Sequence, residues 1–281
     1  MRKNILVLLC VAFIIQFTGL LPLQAGHYYY KQISLKDGLP STVRCILTDE
    51  QGFVWIGTRS GLGRYDGHEL KKYVHQADDP HSIPHNFIYQ MIEDEQNNIW
   101  ILTDKGVARY QRQSDDFYLP TDEKGKNITA YSACTTPDGI LFGAKNKIYF
   151  YNYRDASFRL LQEFNQTDLP NFNVTILSLW DEHTALCCSR WQGLLLLDLK
   201  TGKCSRPPFD CGKEIMSMII DSKNRIWIAP YNNGLYCFDR NGKQLASYTT
   251  HNSSLSNNVI LSLAERENKL WIGTDGGGIN V

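Results

Sequence analysis

A repeat with a period near 43 residues constrains the fold of this chain more than any other feature. The sequence Trp55-Ile56-Gly57-Thr58 anchors the first unit, and comparable tetrapeptides begin at residues 100, 141, 186, 227 and 271. The successive spacings are 45, 41, 45, 41 and 44 residues. Because a fixed period of about 20 to 50 residues is typical of repeat architectures, we expect a series of similar structural units.

Each unit carries turn signals that divide it into four short apolar runs. Four units place an acidic residue six positions before the anchor: Asp49, Asp94, Asp221 and Glu265. A turn former such as Gly52 stands three positions before the anchor, and a second turn such as Asp66-Gly67 follows it. Four short antiparallel strands in about 43 residues make one propeller blade. The sequence therefore predicts an all-β fold, a β-propeller of four-stranded antiparallel blades.

The spacing also predicts where the blades lie and how many there are. The units span approximately residues 33–76, 77–121, 127–165, 172–208, 213–250 and 255–281. This gives about five and a half blades in an incomplete ring, so we expect a fragment truncated at its C-terminal end. Kelch units run longer, WD40 units carry Gly-His and Trp-Asp pairs at matched offsets that this sequence lacks, and β-helix repeats are much shorter.

The N-terminal segment is typical of a signal peptide. Arg2 and Lys3 precede an apolar run from Ile5 to Leu23, and the small residue Ala25 suits cleavage. We predict a signal peptide over residues 1–25 and propeller repeats over residues 26–281, with an uncleaved membrane anchor as the alternative. Either reading implies export from the cytoplasm.

Charge and cysteine content exclude several classes of partner and site. The 29 basic and 29 acidic residues leave no net charge, so nucleic acid is not predicted as a partner. Eight cysteines, one of them Cys10 in the leader, leave an odd number after export. Cys204 and Cys211 flank two prolines in a predicted loop and are the candidate local disulfide. No residue spacing is typical of a metal site, and no cofactor is predicted.

The repeat resembles a known family. The segments Asp37–Ser41, Asp49–Thr58 and Gly61–Gly67 closely resemble the two-component regulator propeller repeat. The resemblance extends over residues 33–281 and is weaker in the third and fourth units. It implies the periplasmic sensor of a Bacteroides-type hybrid two-component system histidine kinase. Its implied partners are a glycan or oligosaccharide ligand, the remainder of the sensor chain and a second copy in a homodimer.

Variable loops on one face of the propeller are the expected ligand-binding region. In a propeller, loops between the second and third strands share a face with the links between blades, and loops on a rigid scaffold carry function. The candidate ligand-binding residues are Arg59, Lys105, Arg190, Trp191, Tyr231, Asn232 and Asp275, with Ser60, Asp104, Gln192 and Asn233 beside them. Aromatic rings with amide and charged neighbours suit a sugar. The repeated tryptophans at the anchors are instead predicted to pack between blades.

Two other functional classes remain open from the sequence. An exported propeller enzyme resembling a streptogramin lyase would have similar blade lengths, and a protein-interaction propeller would need no small ligand. An enzyme requires converging acid, base or metal groups in a pocket. No such group of residues is visible in the sequence, so no catalytic residue is predicted and the chain is expected to act as a sensor.

Overall fold

The computed structural model of the chain describes residues 32–34, 36, 38, 39, 41–164 and 171–281. The predicted signal peptide, including Cys10, lies outside the described residues. The chain divides into a unit of Met1–Ser34 and a unit of Leu35–Val281. Every strand named below belongs to the second unit.

The described residues form 23 β-strands in six antiparallel sheets, and within each sheet the strands pair in sequence order. The first sheet holds β1 (Val43–Thr48), β2 (Val54–Thr58), β3 (Leu62–Tyr65) and β4 (Leu70–Tyr73). The second holds β5 (Ile88–Glu93), β6 (Ile99–Thr103), β7 (Gly106–Gln111) and β8 (Asp116–Tyr118). The third holds β9 (Ser132–Thr136), β10 (Gly139–Ala144), β11 (Lys147–Asn152) and β12 (Ser157–Glu163).

The remaining sheets continue the same order. The fourth holds β13 (Ile176–Asp181), β14 (Thr184–Ser189), β15 (Gly193–Asp198) and β16 (Cys204–Ser205). The fifth holds β17 (Ile215–Ile220), β18 (Ile226–Pro230), β19 (Leu235–Phe238) and β20 (Gln244–Tyr248). The sixth holds β21 (Ile260–Arg266), β22 (Lys269–Thr274) and β23 (Gly278–Asn280).

These sheets confirm the predicted all-β propeller and correct its blade count. Five blades have four strands, as the repeat predicted. The expected count of about five and a half is wrong, because β23 pairs with β22 from Thr274 to Ile272 and completes a third strand. The described residues therefore form six blades, of which the sixth has three strands.

The aspartate six positions before the anchor tryptophan fixes the first hairpin of a blade. In blade 1, Asp49 Oδ1 accepts a hydrogen bond from Phe53 N at 2.9 Å, and Oδ2 accepts one from Trp55 Nε1 at 3.0 Å. The carboxylate thus satisfies a turn amide and a fully buried indole together, which removes two costly unpaired donors. The same Asp–Trp bond recurs at 2.7 Å from Trp100 to Asp94 and at 2.8 Å from Trp227 to Asp221.

Glu265 does not take the same role, although it stands six positions before Trp271. The first hairpin of blade 6 is one residue shorter, so Trp271 pairs with Ala264 and Glu265 pairs with Leu270. The glutamate instead accepts hydrogen bonds from Ser222 N at 2.7 Å and Ser222 Oγ at 2.6 Å in blade 5. It therefore joins two blades rather than closing its own turn.

The anchor tryptophans form the core between neighbouring blades, as predicted. Trp55 is fully buried, and its ring centroid lies 4.7 Å from that of Tyr110 in the next blade. Trp100 is fully buried and lies 4.7 Å from the ring of Tyr151 in blade 3. Trp227 is also buried, whereas Trp271 is half-buried. Aromatic packing of this kind adds to the stabilisation that area burial provides.

A polar network around Asp115 also joins blades 1 and 2. Asp115 lies in the turn between β7 and β8 and accepts hydrogen bonds from Tyr110 Oη at 2.5 Å and Tyr73 Oη at 2.6 Å. Arg64 Nη1 lies 3.1 Å from the same carboxylate, and Lys71 Nζ also donates to it. Although burial opposes ionisation, these four donors hold the pKa of Asp115 well below its usual range.

The predicted disulfide between Cys204 and Cys211 is not formed, and both are free thiols. Cys204 packs on the face of blade 4 that carries Cys187 and turns towards blade 3. Cys211 packs in the cluster between blades 4 and 5, which contains Cys188. The two thiols thus lie on opposite faces of the fourth sheet.

The first strand of each blade contacts the first strand of the next, from β1 through β5, β9, β13 and β17 to β21. These strands consequently form the inner side of the propeller. Their N-terminal ends meet on one face, together with the links between blades. This arrangement places the residues that begin the first strands around a common axis.

Candidate functional site

A β-bulge at the start of the first strand turns one side chain of the blade towards the axis. In β5 the register passes from the pair Ile88 and Thr103 to the pair Gln90 and Leu102, so Tyr89 has no partner. The register skips one residue in the same way in β1, β17 and β21. A bulge bends its strand and re-aims a side chain.

The six equivalent residues form a group that we call the bulge row. Its members, in blade order, are Arg44, Tyr89, Tyr131, Thr175, Met216 and Leu261. In blades 3 and 4 the residue directly precedes the first paired residue of the strand rather than standing within a bulge. The position therefore carries chemically different side chains on a repeated backbone.

Five members of the bulge row line one cavity of about 390 Å³, which we call the central funnel. Its full lining is Arg44, Tyr89, Tyr131, Asn173, Thr175, Ile176, Arg190, Ile215 and Met216. These residues come from blades 1 to 5. The central funnel thus lies on the axis, at the face where the first strands begin, and its volume is within the ~300–1,000 Å³ typical of small-molecule sites.

Two arginines give the central funnel a positive character. The guanidinium of Arg44 lies 5.0 Å from the centroid of the Phe87 ring. That of Arg190 lies 5.1 Å from the Trp191 ring and places Nη2 3.0 Å from Met216 Sδ. Within the described part of the chain, neither guanidinium is within 4.0 Å of a carboxylate oxygen. Rings and a thioether therefore hold both guanidinium groups, and no residue that the structure describes forms an ion pair with either.

The wall between the arginines is aromatic and polar. The rings of Tyr89 and Tyr131 meet edge to face with centroids 5.1 Å apart. Tyr89 Oη donates a hydrogen bond to Asp104 Oδ1 at 2.6 Å. Burial is the main cause that raises the pKa of Tyr89, and the hydrogen bond to Asp104 raises it further. The phenol therefore stays neutral and keeps lone pairs for a further donor. Asn173 Oδ1 is buried without a hydrogen-bond partner among the described residues.

The structure brings one of the predicted ligand-binding residues, Arg190, into the central funnel. Trp191 and Tyr231 are 62% and 50% exposed on neighbouring loops. Arg59, Lys105, Asn232 and Asp275 are exposed on the loops between second and third strands and do not line the funnel. Asp104 reaches the funnel indirectly, through its hydrogen bond with Tyr89.

The sequence-based prediction missed the bulge row because it placed ligand contacts in loops, whereas these residues lie at strand starts. A numerical signal was present in the repeat. The residue stands eleven positions before the anchor in blades 1, 2, 4 and 5, and ten positions before it in blades 3 and 6. The difference arises because the first hairpins of blades 3 and 6 are one residue shorter.

Other cavities of the propeller draw on fewer blades. One of about 510 Å³ lies along the link at residues 206–213 and beside β15. Two of about 540 and 460 Å³ lie on the opposite face, between the short turns of neighbouring blades. The central funnel is the candidate site because it collects side chains from five blades at a position that varies from blade to blade.

The described residues contain neither a candidate metal site nor a candidate membrane-spanning helix. Among them, no three His, Cys, Asp or Glu side chains are grouped closely enough to hold a metal ion. Within the same residues, no helix has the length and apolar character needed to span a bilayer.

Comparison with known sequences confirms the resemblance seen in the repeat. Residues 37–60, 82–105 and 254–276 match the family model described as two component regulator propeller. A curated relative, Histidine kinase P4 of Formosa agariphila, is 39% identical over 61 residues, which cover 21% of this chain and 4% of that protein. The chain thus spans a small part of the curated relative that it matches.

Solved structures share the fold at low sequence identity. The extracellular domain of BT3049 from B. thetaiotaomicron, described as a hybrid two component system, superposes with a TM-score of 0.72 at 22% identity. That match covers 89% of this chain and 34% of the BT3049 chain. PorZ of Porphyromonas gingivalis, described as a surface component of the type-IX secretion system, gives 0.61 at 19% identity and covers 83% and 37% of the two chains.

Proposed function

Because the chain carries two-component regulator propeller repeats, we propose that it is the ligand-sensing propeller of a hybrid two-component system sensor. In this proposal it detects a glycan or oligosaccharide and signals to a histidine kinase in the same protein. The observation that carries the proposal is the central funnel, where a repeated backbone position presents four types of side chain from five blades.

The lining of the central funnel suits a sugar. Tyr89 and Tyr131 offer ring faces and edges to the C–H groups of a pyranose. Asn173 lies in the same lining and adds a polar residue beside the two rings. A small number of polar groups in an otherwise apolar pocket is typical of small-molecule sites.

Signalling requires the ligand to bind two states of the sensor with different affinity, since equal affinity would shift no equilibrium. Such a difference in affinity arises if a ligand in the central funnel contacts blades on opposite sides of the axis at the same time. Arg44 of blade 1 and Arg190 of blade 4 line the same cavity. Ligand held by both would resist separation of these blades.

The proposal includes the setting of the domain. Export by the N-terminal segment would place the propeller in the periplasm, as the ectodomain of an inner-membrane sensor. The BT3049 relative is described as an extracellular domain, which supports this setting. The remainder of the sensor chain is then the partner that receives the signal.

Isothermal titration calorimetry with a panel of plant, mucin and glycosaminoglycan oligosaccharides tests the proposal. We expect one class to bind, and Tyr131→Ala to weaken its affinity at least about tenfold through loss of a stacking ring. Tyr118→Ala is the matched control, because Tyr118 is 47% exposed on the outer strand β8. Silence across the whole panel would contradict the proposed function.

A protein-interaction role is the second candidate. Trp191 and Tyr231 are large aromatic residues exposed on adjacent loops, and such residues are enriched at binding hot spots. The homodimer implied by the family resemblance would use them. Sedimentation velocity should then show a concentration-dependent dimer that Trp191→Ser abolishes, whereas a monomer at all concentrations would remove this candidate.

A further inference from the structure

We propose that the central funnel binds an acidic oligosaccharide and that Arg44 and Arg190 hold its carboxylate or sulfate group between them. This inference rests on the proposed function and deepens it by naming the ligand class. It follows from the position of the two guanidinium groups and from the division of the funnel into a polar and an apolar side.

The two arginines are positioned before any ligand arrives. Arg44 lies against Phe87 at 5.0 Å and Arg190 lies between Trp191 and Met216. Rings and a thioether restrict the side chains but neutralise no charge, so the N–H donors of each guanidinium remain available to an anion. Guanidinium binds carboxylate and sulfate-like groups through paired hydrogen bonds, and these charge-assisted bonds are stronger than neutral ones.

The rest of the funnel favours a sugar as the carrier of that acid group. Tyr89, Tyr131, Asn173 and Thr175 place hydroxyl and amide groups on the wall between blades 2 and 4. Ile176, Ile215 and Met216 form an apolar wall towards blade 5. A pyranose carrying one acid group meets both walls, with hydroxyls on the polar side and C–H groups on the apolar side.

The carboxylate bonded to Tyr89 does not oppose this assignment. Asp104 accepts a hydrogen bond from Tyr89 Oη at 2.6 Å and does not itself line the cavity. It therefore orients the phenol, leaving the two guanidinium groups as the charges that line the funnel.

Calorimetry on the purified chain with three matched probes tests the proposal: an oligogalacturonate, a sulfated chondroitin disaccharide and a neutral galactooligosaccharide. We expect at least one acidic probe to bind about tenfold or more tightly than the neutral one. Hydrogen bonds to a charged group contribute more free energy than neutral ones, by an amount that corresponds to about a tenfold change in affinity. Its affinity should also fall as sodium chloride is raised, because the charges are partly exposed to solvent.

Substitution of the arginines locates the binding. Arg44→Met and Arg190→Met keep the length of the side chain and should each weaken binding of the acidic probe about tenfold, while Arg190→Lys should lose less. Arg266→Met is the control, since its side chain is 80% exposed at the end of β21, on the opposite face. Urea denaturation of each variant shows that the fold is retained, and Arg44→Gln replaces Arg44→Met if the latter unfolds.

The outcomes separate this inference from the proposed function. Equal binding of neutral and acidic probes, or acidic binding that both arginine variants retain, would overturn the inference while the sensor function stands. Binding of no oligosaccharide would contradict both. Preference for the galacturonate or for the sulfated disaccharide would identify which acid group the funnel accepts.

Discussion

Replacing Asp94 with asparagine changes one atom of a buried carboxylate and should destabilise the propeller strongly. Asp94 is 4% exposed. Its Oδ1 accepts hydrogen bonds from Gln96 N and Asn98 N, each at 2.9 Å, and its Oδ2 accepts one from Trp100 Nε1 at 2.7 Å. Asparagine can keep the first oxygen in place. It then presents an NH₂ donor to the indole N–H, and the two donors oppose each other.

The magnitude follows from the burial of the indole. Trp100 is fully buried, so its Nε1–H cannot turn to water when the acceptor is lost. Loss of a charge-assisted hydrogen bond together with a buried unpaired donor costs about 2 to 4 kcal/mol. With a urea m-value of about 2 to 3 kcal/mol/M for a chain of this size, the unfolding midpoint should fall by about 1 M.

Urea unfolding followed by far-UV circular dichroism measures this change without relying on tryptophan emission. Asp181→Asn is the matched control, because Asp181 ends the first strand of its hairpin but is exposed. Among the described residues, its carboxylate accepts a hydrogen bond only from His183 N. The control should cost less than about 0.5 kcal/mol. Equal midpoints for Asp94→Asn and the wild type, or equal losses for the two variants, would refute the assignment of the Asp–Trp pair as the support of the hairpin.

Three further predictions concern backbone, charge and thiol chemistry. Gly234→Ala should lower the free energy of unfolding by more than about 2 kcal/mol, since the residue has φ +72° and a Cβ would lie 2.1 Å from a backbone oxygen. Gly276→Ala is the control, because Gly276 has φ +69° but open space around it, and it should lower the free energy of unfolding by about 1 kcal/mol in the same assay. Equal losses for the two variants would contradict the steric argument. The pKa of Asp115 in the folded protein lies below the unfolded value of about 3.9, so its contribution to stability is present above pH ~3.9 and is lost as the pH falls below that value. Asp115→Asn should therefore make the free energy of unfolding less dependent on pH in the acid range. An unchanged pH dependence would refute the network around Asp115. Cys204 and Cys211 should both be alkylated in denaturant without reductant and react slowly when folded, because burial raises the pKa of both, that of Cys211 to about 12; a mass shift for a disulfide-linked peptide would contradict the free thiols.

The fold was predictable because its signals are local and repeated. Gly, Asn and Asp occupy most turn positions of the repeat, and the anchor tryptophans mark the buried second strand. Glu265 shows the limit of this approach, since a one-residue change in hairpin length altered the pairing of Trp271 while the spacing in sequence stayed at six. Register depends on the backbone conformation of the turn, which the residue type alone does not determine.

The candidate site was less predictable because it is a product of assembly. Arg44 and Arg190 are 146 positions apart in sequence and line one cavity only after the blades curve around an axis. The loop position marked Arg190 as a candidate, whereas no local pattern marks Arg44 as a ligand contact. The disulfide prediction failed for a similar reason: Cys204 and Cys211 are close in sequence but lie on opposite faces of one sheet.

In blades 1 to 5, the residue of the bulge row faces the ligand cavity, whereas the paired residues of the first strand hold the sheet together. Each member of the bulge row stands outside the ladder pairs, either within a bulge or, in blades 3 and 4, directly before the first pair. Its side chain can therefore change without altering the neighbouring pairs. One substitution per blade therefore alters the chemistry of the funnel wall while the Asp–Trp hairpins and inter-blade aromatic rings stay in place. A library randomised at Arg44, Tyr89, Tyr131, Thr175 and Met216 would sample new ligand specificities on a constant scaffold, and related propellers could diverge in ligand by the same route.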